Sequence, residues 1–268
     1  MSPDRYTHGH HDSVLRSHRW RTAENSAGFL LDHLAPGQSL LDVGCGPGSI
    51  TADLASWVEP GAVVGIDRAA MVVAEAEAAY PPAAHPNLRF VRGDVYGLEF
   101  VDGSFDVVYA HQILQHLTEP VAALCEMRRV LRTGGLLAVR DADYGAFTWF
   151  PADPALDEWL ELYHRVTRAN DAEADGGRHL PSWVRAAGFA DLTVSSSNWT
   201  YATAEERAWW GGLWAERVTS SDFAGQAIDD GLASVAQLER FADAFRRWAL
   251  EPNGLFLVPS VEVLARRD

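Results

Sequence analysis

Short runs of branched apolar residues alternate along the first half of the chain with longer segments in which apolar residues recur at helical spacing. Leu40 to Val43, Val63 to Ile66, Leu88 to Arg92, Phe105 to Tyr109 and Leu136 to Arg140 read as five buried strands. Asp12 to His33, Ser49 to Trp57, Ala69 to Tyr80 and Pro120 to Leu131 read as helices, the third of them ended by Pro81-Pro82. Strictly alternating strands and helices imply a parallel sheet wound on both faces. Beyond the fifth strand the pattern changes. Ala155 to Ala169 reads as a helix inserted before the one that ends at Gly188, and Leu192 to Tyr201 and Leu255 to Leu264 read as a sixth and a seventh strand. Between those two strands the helical period runs from about Ala204 to Leu250, and a helical cap over the sheet's carboxyl edge is the economical reading.

The first strand runs into Asp42-Val43-Gly44-Cys45-Gly46-Pro47-Gly48. Glycines at this spacing let a backbone turn sharply and press against a small ligand. The second strand ends in Asp67, where an acid holds a ribose hydroxyl pair in nucleotide-binding βαβ units. A pyrophosphate is poorly served, because Ser49 stands near the place of a third glycine and Pro47 removes an amide. A phosphate loop ending in Gly-Lys-Ser/Thr is excluded, since all 22 basic residues are arginine. The same absence removes lysine Schiff-base chemistry.

The order of these motifs resembles the S-adenosylmethionine-dependent methyltransferases of the ubiquinone/menaquinone-biosynthesis type, from about Tyr6 to about Leu264. The resemblance implies a Rossmann-like α/β fold, a doubly wound, mostly parallel seven-stranded sheet with a helical cap inserted between its last two strands. It implies S-adenosyl-L-methionine as cofactor, with Asp42, Gly44, Gly46 and Gly48 in the methionine-binding loop, Asp67 as the ribose acid with Arg68 beside it, and Met71 packing on adenine. Gly93-Asp94-Val95 resembles the adenine-edge contact, and Ala110, at the end of the fourth strand, lies beside the methionyl group, followed by His111 and Gln115. One domain over residues 1–268 is expected, with an N-terminal lid (1–35), a cofactor-binding core (36–144) and a substrate cap (145–175 and 204–250). The physical reading agrees: a ligand with a sulfonium, an ammonium and no phosphate suits acids at successive strand ends, and Asp42, Asp67 and Asp94 supply them.

Net charge narrows the partners. At −15 the chain lacks the clustered cations that phosphate backbones require, so no nucleic acid is expected. The two cysteines, Cys45 and Cys125, belong to no spaced cluster, and neither a disulfide framework nor a metal site is suggested. No run approaches the ~20 apolar residues of a membrane span, which leads to the expectation of a cytoplasmic protein acting on a small molecule, with a homodimer left open.

The second half holds Trp149, Trp159, Trp183, Trp199, Trp209, Trp210, Trp214 and Trp248, which suit either an apolar acceptor pocket or the packing of the cap. Of the adjacent pair Trp209-Trp210, at most one is expected to face a pocket, and Trp210 and Trp214 are candidates to shape it. His111 and Gln115 are expected one turn apart at the start of a helix after the fourth strand, with His116 about 100° away on it. Candidate bases are His116, His111, His10, His11 and Asp141. Tyr6 to Asp12 is expected to fold over the site, and Arg16, Arg19 and Arg21 are candidate partners for the cofactor carboxylate. Methyl transfer from a sulfonium needs in-line approach more than an elaborate catalytic set. Two other readings stand beside it, a nicotinamide-dependent oxidoreductase and a cofactor-binding protein without transfer activity.

Overall fold

The computed structural model describes residues 4–9 and 11–268. Its first half runs α1 (Asp12–Arg19), α2 (Ala23–Leu31), β1 (Leu40–Val43), α3 (Ser49–Val58), β2 (Val63–Asp67), α4 (Ala70–Ala79), β3 (Leu88–Arg92), β4 (Phe105–His111), α5 (Pro120–Val130) and β5 (Leu131–Ala142). The second half continues with β6 (Thr148–Phe150), α6 (Pro154–Ala169), α7 (Gly176–Ala186), β7 (Leu192–Tyr201), α8 (Ala204–Ser220), α9 (Asp222–Asp229), α10 (Val235–Leu250) and β8 (Leu255–Arg266).

A central parallel strand is covered on both faces and so is largely apolar. β1 has no exposed residue, its one polar side chain being the buried Asp42, and it lies between β2 and β4 in parallel register, Val43 beside Ile66 and Ala110. β3 and β5 extend the parallel block outward, and β8 then runs antiparallel to β5, Val139 opposite Val263. β7 pairs along the other edge of β8, from Leu192 opposite Ala265 to Tyr201 opposite Phe256. The sheet has eight strands, one more than expected. The addition is β6, which pairs with the first residues of β8. Three residues carry no period of their own, so only the partner strand reveals them.

Two other boundaries differ from the sequence reading. The N-terminal helix is broken at Trp20-Arg21, because the Thr22 hydroxyl accepts from the Asn25 amide and the Asn25 side chain accepts from the Thr22 amide, which starts α2 afresh. No helix starts after β4. That strand continues to His111, Gln112 takes a left-handed backbone (φ 51°), and Leu114–His116 form a single 3-10 turn before Pro120 opens α5.

The helical interruption between β7 and β8 is α8, α9 and α10, and these pack with α6 around one aromatic cluster. Trp159 meets Trp214 edge-on at 4.6 Å between ring centroids, and Trp214 lies almost parallel to Phe245 at 5.7 Å. No helix among the described residues is long and apolar enough to cross a membrane.

Trp214 is 1 % exposed and lines neither cavity described below, so its role is packing and not the shaping of a pocket that its position suggested. Trp214→Ala is expected to lower unfolding free energy by about 3–5 kcal/mol. Leu250→Ala, at an exposed position, is expected to change it by less than about 0.5 kcal/mol. Denaturant melts of both variants check the pair, and similar midpoints would refute the placement of Trp214 in the core.

Candidate functional site

The carboxyl ends of β1, β2 and β4 open onto a cavity of about 410 Å³. Gly44, at φ 75°, makes the turn after β1, and a Cβ there would lie 2.5 Å from the Ile113 side chain. The Gly44 and Cys45 amides both donate to the Ile66 carbonyl, fastening the loop to β2. Asp67 completes the attachment: one carboxylate oxygen accepts from the Gly46 amide at 3.2 Å and the other from the Ala69 amide at 2.9 Å. The acid thus holds the glycine loop and the start of α4 together at the cavity wall.

Of the residues singled out in the sequence, Asp42, Gly44, Gly46, Asp67, Arg68, Gly93, Asp94, Val95 and His111 line this one cavity. Gly48, Met71, Ala110 and Gln115 do not. Gly48 sits at φ 85° at the start of α3, where a Cβ would strike the Phe90 ring at 2.6 Å. Met71 is 64 % exposed on α4, and Ala110 is buried within the sheet. Gln115 is not one helical turn from His111, because a strand end and a 3-10 turn separate the two backbones.

The N-terminal segment closes the site. Asp4 accepts from the Thr118 amide at 2.9 Å and the Tyr96 hydroxyl at 3.1 Å, and Asp4, Tyr6, His18 and Arg21 line the same cavity. Of the three candidate arginines only Arg21 is there. Arg16 and Arg19 pair at the surface with Glu216 and Glu75. Arg21 donates to Gln112 Oε1 at 2.7 Å, and burial pulls its pKa down to about 10.

The candidate bases separate on geometry. His111 has no hydrogen-bond partner for either ring nitrogen among the described residues, and burial holds it well below the ordinary histidine range, so it is neutral at pH 7. His116 is likewise held neutral by burial, at about 3. Gln115 Oε1 accepts from the Ala142 amide at 3.0 Å, so the Gln115 amide nitrogen donates to His116 Nε2, 3.1 Å away. That network assigns the ring proton to Nδ1, which has no partner, making His116 a hydrogen-bond donor instead of the expected base. His11 caps α1 by accepting from the Ser13 amide and lines neither this cavity nor the smaller one beside it. Asp141 is buried against the amides of Ile113, Leu114 and Gln115 and lines neither this cavity nor the smaller one beside it. His10 lies outside the described residues. No group of three or more metal-ligating side chains occurs among the described residues.

A second space of about 30 Å³ adjoins the first, and Tyr6, His18, Arg21, Gln112 and His116 line both. Trp199 and Tyr201 of β7 and Trp209, Trp210 and Arg217 of α8 form its far side. Both members of the adjacent tryptophan pair line it, contrary to expectation, because the two rings lie nearly parallel at 6.1 Å instead of diverging. His8 lines it too, with Nε2 2.9 Å from the Tyr163 hydroxyl and 3.2 Å from that of Tyr144. His8, Tyr144 and Arg217 had not been singled out individually. For Arg217 a signal existed: it shares a helical stripe with Trp210, Leu213 and Trp214, where a charge is out of place.

Asp42 generates a pH dependence. Its carboxyl, buried and near Asp67, titrates at about 7, although the Thr51 hydroxyl donates to it at 2.6 Å. The unfolded chain loses this proton near pH 4. The folded state therefore binds the extra proton between about pH 4 and 7, and Asp42 costs stability progressively as pH rises through that window. Asp42→Asn should gain stability relative to the parent by a few kcal/mol from pH 4 to 7 and stay level above it. Paired denaturant melts across pH check this, and a flat difference would show that Asp42 is ionised throughout.

The comparisons bear on the strands that build this cavity. The pattern described as a methyltransferase domain matches residues 41–139. The chain is 30% identical to an uncharacterized methyltransferase of Schizosaccharomyces pombe over 98% of its own length and 96% of the relative's. It is 34% identical to a probable methyltransferase of Aspergillus luteorubrus, covering 76% of each chain. Among solved structures, the YcgJ protein of Bacillus subtilis aligns with a TM-score of 0.59 at 20% identity, over 90% of this chain and 97% of that one, a likeness of fold. On the near full-length match to the fission-yeast relative, with the domain pattern spanning β1 to β5, this chain belongs to the methyltransferases.

Proposed function

We propose that the protein transfers a methyl group from S-adenosyl-L-methionine to a small, apolar or aromatic acceptor. The observation that carries this reading is the cavity at the strand ends, where Asp67 is locked between the Gly46 and Ala69 amides and which Asp94 and Val95 also line. The residues present fit that donor. Asp67 offers acceptors for ribose hydroxyls, the turn after β1 lets backbone approach a ligand, and Arg21 supplies a buried cation for a carboxylate. When bound, the donor supplies an already activated methyl group on a sulfonium. The chain's own part is to hold the acceptor in line and keep water out, which the lid anchored through Asp4 and the cap residues of α8 support. Neutral His111, with a lone pair free, can accept a hydrogen bond from an acceptor hydroxyl and turn its oxygen toward the methyl group. The narrower likeness to ubiquinone/menaquinone enzymes is supported by motif order and by a partial match, 37% identical over 48% of this chain, to a demethylmenaquinone methyltransferase of Beutenbergia cavernae, and a nicotinamide-dependent oxidoreductase is not favoured, since the third glycine of a pyrophosphate loop is replaced by Ser49.

Calorimetry is expected to give micromolar affinity for S-adenosylmethionine and S-adenosylhomocysteine and no comparable heat for NAD or ATP, and tight NAD binding would remove the assignment. Asp67→Ala is expected to weaken S-adenosylhomocysteine binding by about 1.5–3 kcal/mol, the scale of hydrogen bonds to a charged group. Unchanged affinity in the folded variant would show that the ribose lies elsewhere.

A further inference from the structure

The 30 Å³ chamber has room for about one carboxylate-sized group or one water. Its wall is rich in hydrogen-bond donors. Arg21 Nε, Arg217 Nε, His116 Nδ1 and Trp210 Nε1 are buried donors without a partner among the described residues, and the Tyr201 hydroxyl and His8 Nδ1, each able to donate, are unpartnered as well. No side-chain amide or carboxylate oxygen lining it is left over, because Gln112 Oε1 accepts from Arg21 and Gln115 Oε1 from Ala142.

Charge is one-sided. Arg217 is 5 % exposed and, among the described residues, donates to neutral acceptors, the Ser13 carbonyl at 3.1 Å and the Ser17 hydroxyl at 2.9 Å. The guanidinium also lies 4.7 Å from the Trp214 ring centroid, a cation–π contact that offsets part of the cost of its burial, but no carboxylate is paired with it among the described residues. Arg140, also buried, differs in having Glu262 beside it at 3.4 Å. Burial lowers the proton affinity of Arg217, and what offsets it in part comes from the hydroxyls of Tyr144, Tyr6, Tyr163 and Tyr201 and not from a carboxylate. Arg21 and Arg217 also repel one another, which lowers the proton affinity of Arg21. Buried cations without counter-charge are costly, and a chain of net charge −15 has acids to spare.

We infer, on the basis of the methyl-transfer reading above, that the acceptor is an organic anion whose carboxylate seats in this chamber against Arg217, His116 Nδ1 and Trp210 Nε1. The chamber is assigned to the acceptor because no residue of the glycine loop, nor Asp67 or Asp94, reaches it, and Arg217 and Trp210 line it alone, whereas Arg21, offered above to the cofactor carboxylate, stands on the wall that the two spaces share. Its shared wall with the larger cavity lets the body of the same molecule extend toward the reacting centre.

The test titrates the full chain, with and without S-adenosylhomocysteine, with benzoate, cinnamate and 2-naphthoate and with their carboxamides, following tryptophan fluorescence. At least one carboxylate should bind about ten-fold or more tighter than its amide, the scale of a charge-assisted hydrogen bond. Arg217→Gln should remove that preference and Arg217→Lys should retain part of it. Affinities for S-adenosylhomocysteine and for 5′-methylthioadenosine, which lacks the carboxylate, should both stay unchanged in Arg217→Gln. Should Arg217→Gln not fold, Trp210→Phe keeps an aromatic ring and removes the donor, and should still weaken the carboxylate several-fold while sparing the amide. The inference is overturned by carboxylates that bind no better than amides or not at all, as a chamber holding only water would give, or by a preference that survives in the variants. Loss of S-adenosylhomocysteine binding with methylthioadenosine binding intact would assign the chamber to the cofactor and overturn it as well. Failure of the parent protein to bind S-adenosylhomocysteine would instead overturn the methyl-transfer reading, while the carboxylate preference would report on the chamber alone.

Discussion

The turn after β1 is the constraint on which the site depends. A strand buried on both faces must end by exposing backbone, and here it does so through a left-handed glycine whose amide, with that of Cys45, is tied to the Ile66 carbonyl. Packing leaves no freedom at this point, because Ile113 occupies the space that a Cβ on Gly44 would need. Asp67 then joins the loop to α4, so β1, β2 and the two following helices present one fixed surface. Everything that lines the large cavity is positioned relative to that surface.

The cap follows a different logic. It is held by rings, with Trp159, Trp214, Phe245 and Phe256 forming a dry cluster. Polar groups are gathered on the side that faces the lid. His8 sits between the hydroxyls of Tyr144 and Tyr163, and His116 is orientated by Gln115. Burial keeps both imidazoles neutral, while Arg21 and Arg217 bring positive charge to the chamber wall. An acidic protein has thus placed an electropositive, donor-rich space between its lid and its cap. Low local polarisability makes each unmatched donor there count for more than it would at the surface.

The resemblance carried by the motifs and the geometry agree where backbone dictates position. Asp42 to Gly46, Asp67 and Gly93 to Val95 lie at strand ends, and a parallel sheet brings successive strand ends together whatever the rest of the chain does. They disagree where a side chain's direction depends on neighbours distant in sequence. His116 is a donor because Ala142, 26 residues on, fixes the Gln115 amide. Trp209 and Trp210 share a cavity because Tyr201 stacks on Trp210 at 4.3 Å and Trp20 lies 5.2 Å from Trp209.

By itself the sequence determined the alternating core, the glycine loop, the acids at the strand ends and the helical interruption before the last strand, since each follows from local periodicity or from a backbone conformation that only one residue type readily accepts. The tertiary structure alone decided the third strand paired to β8, the break between α1 and α2 within the lid, the choice of Arg21 over Arg16 and Arg19, and the donor-lined chamber around Arg217. The physical reason is that hydrogen-bond satisfaction and desolvation are properties of an assembled neighbourhood. A sequence shows which groups must be satisfied, and only the fold shows which of them are left without a partner.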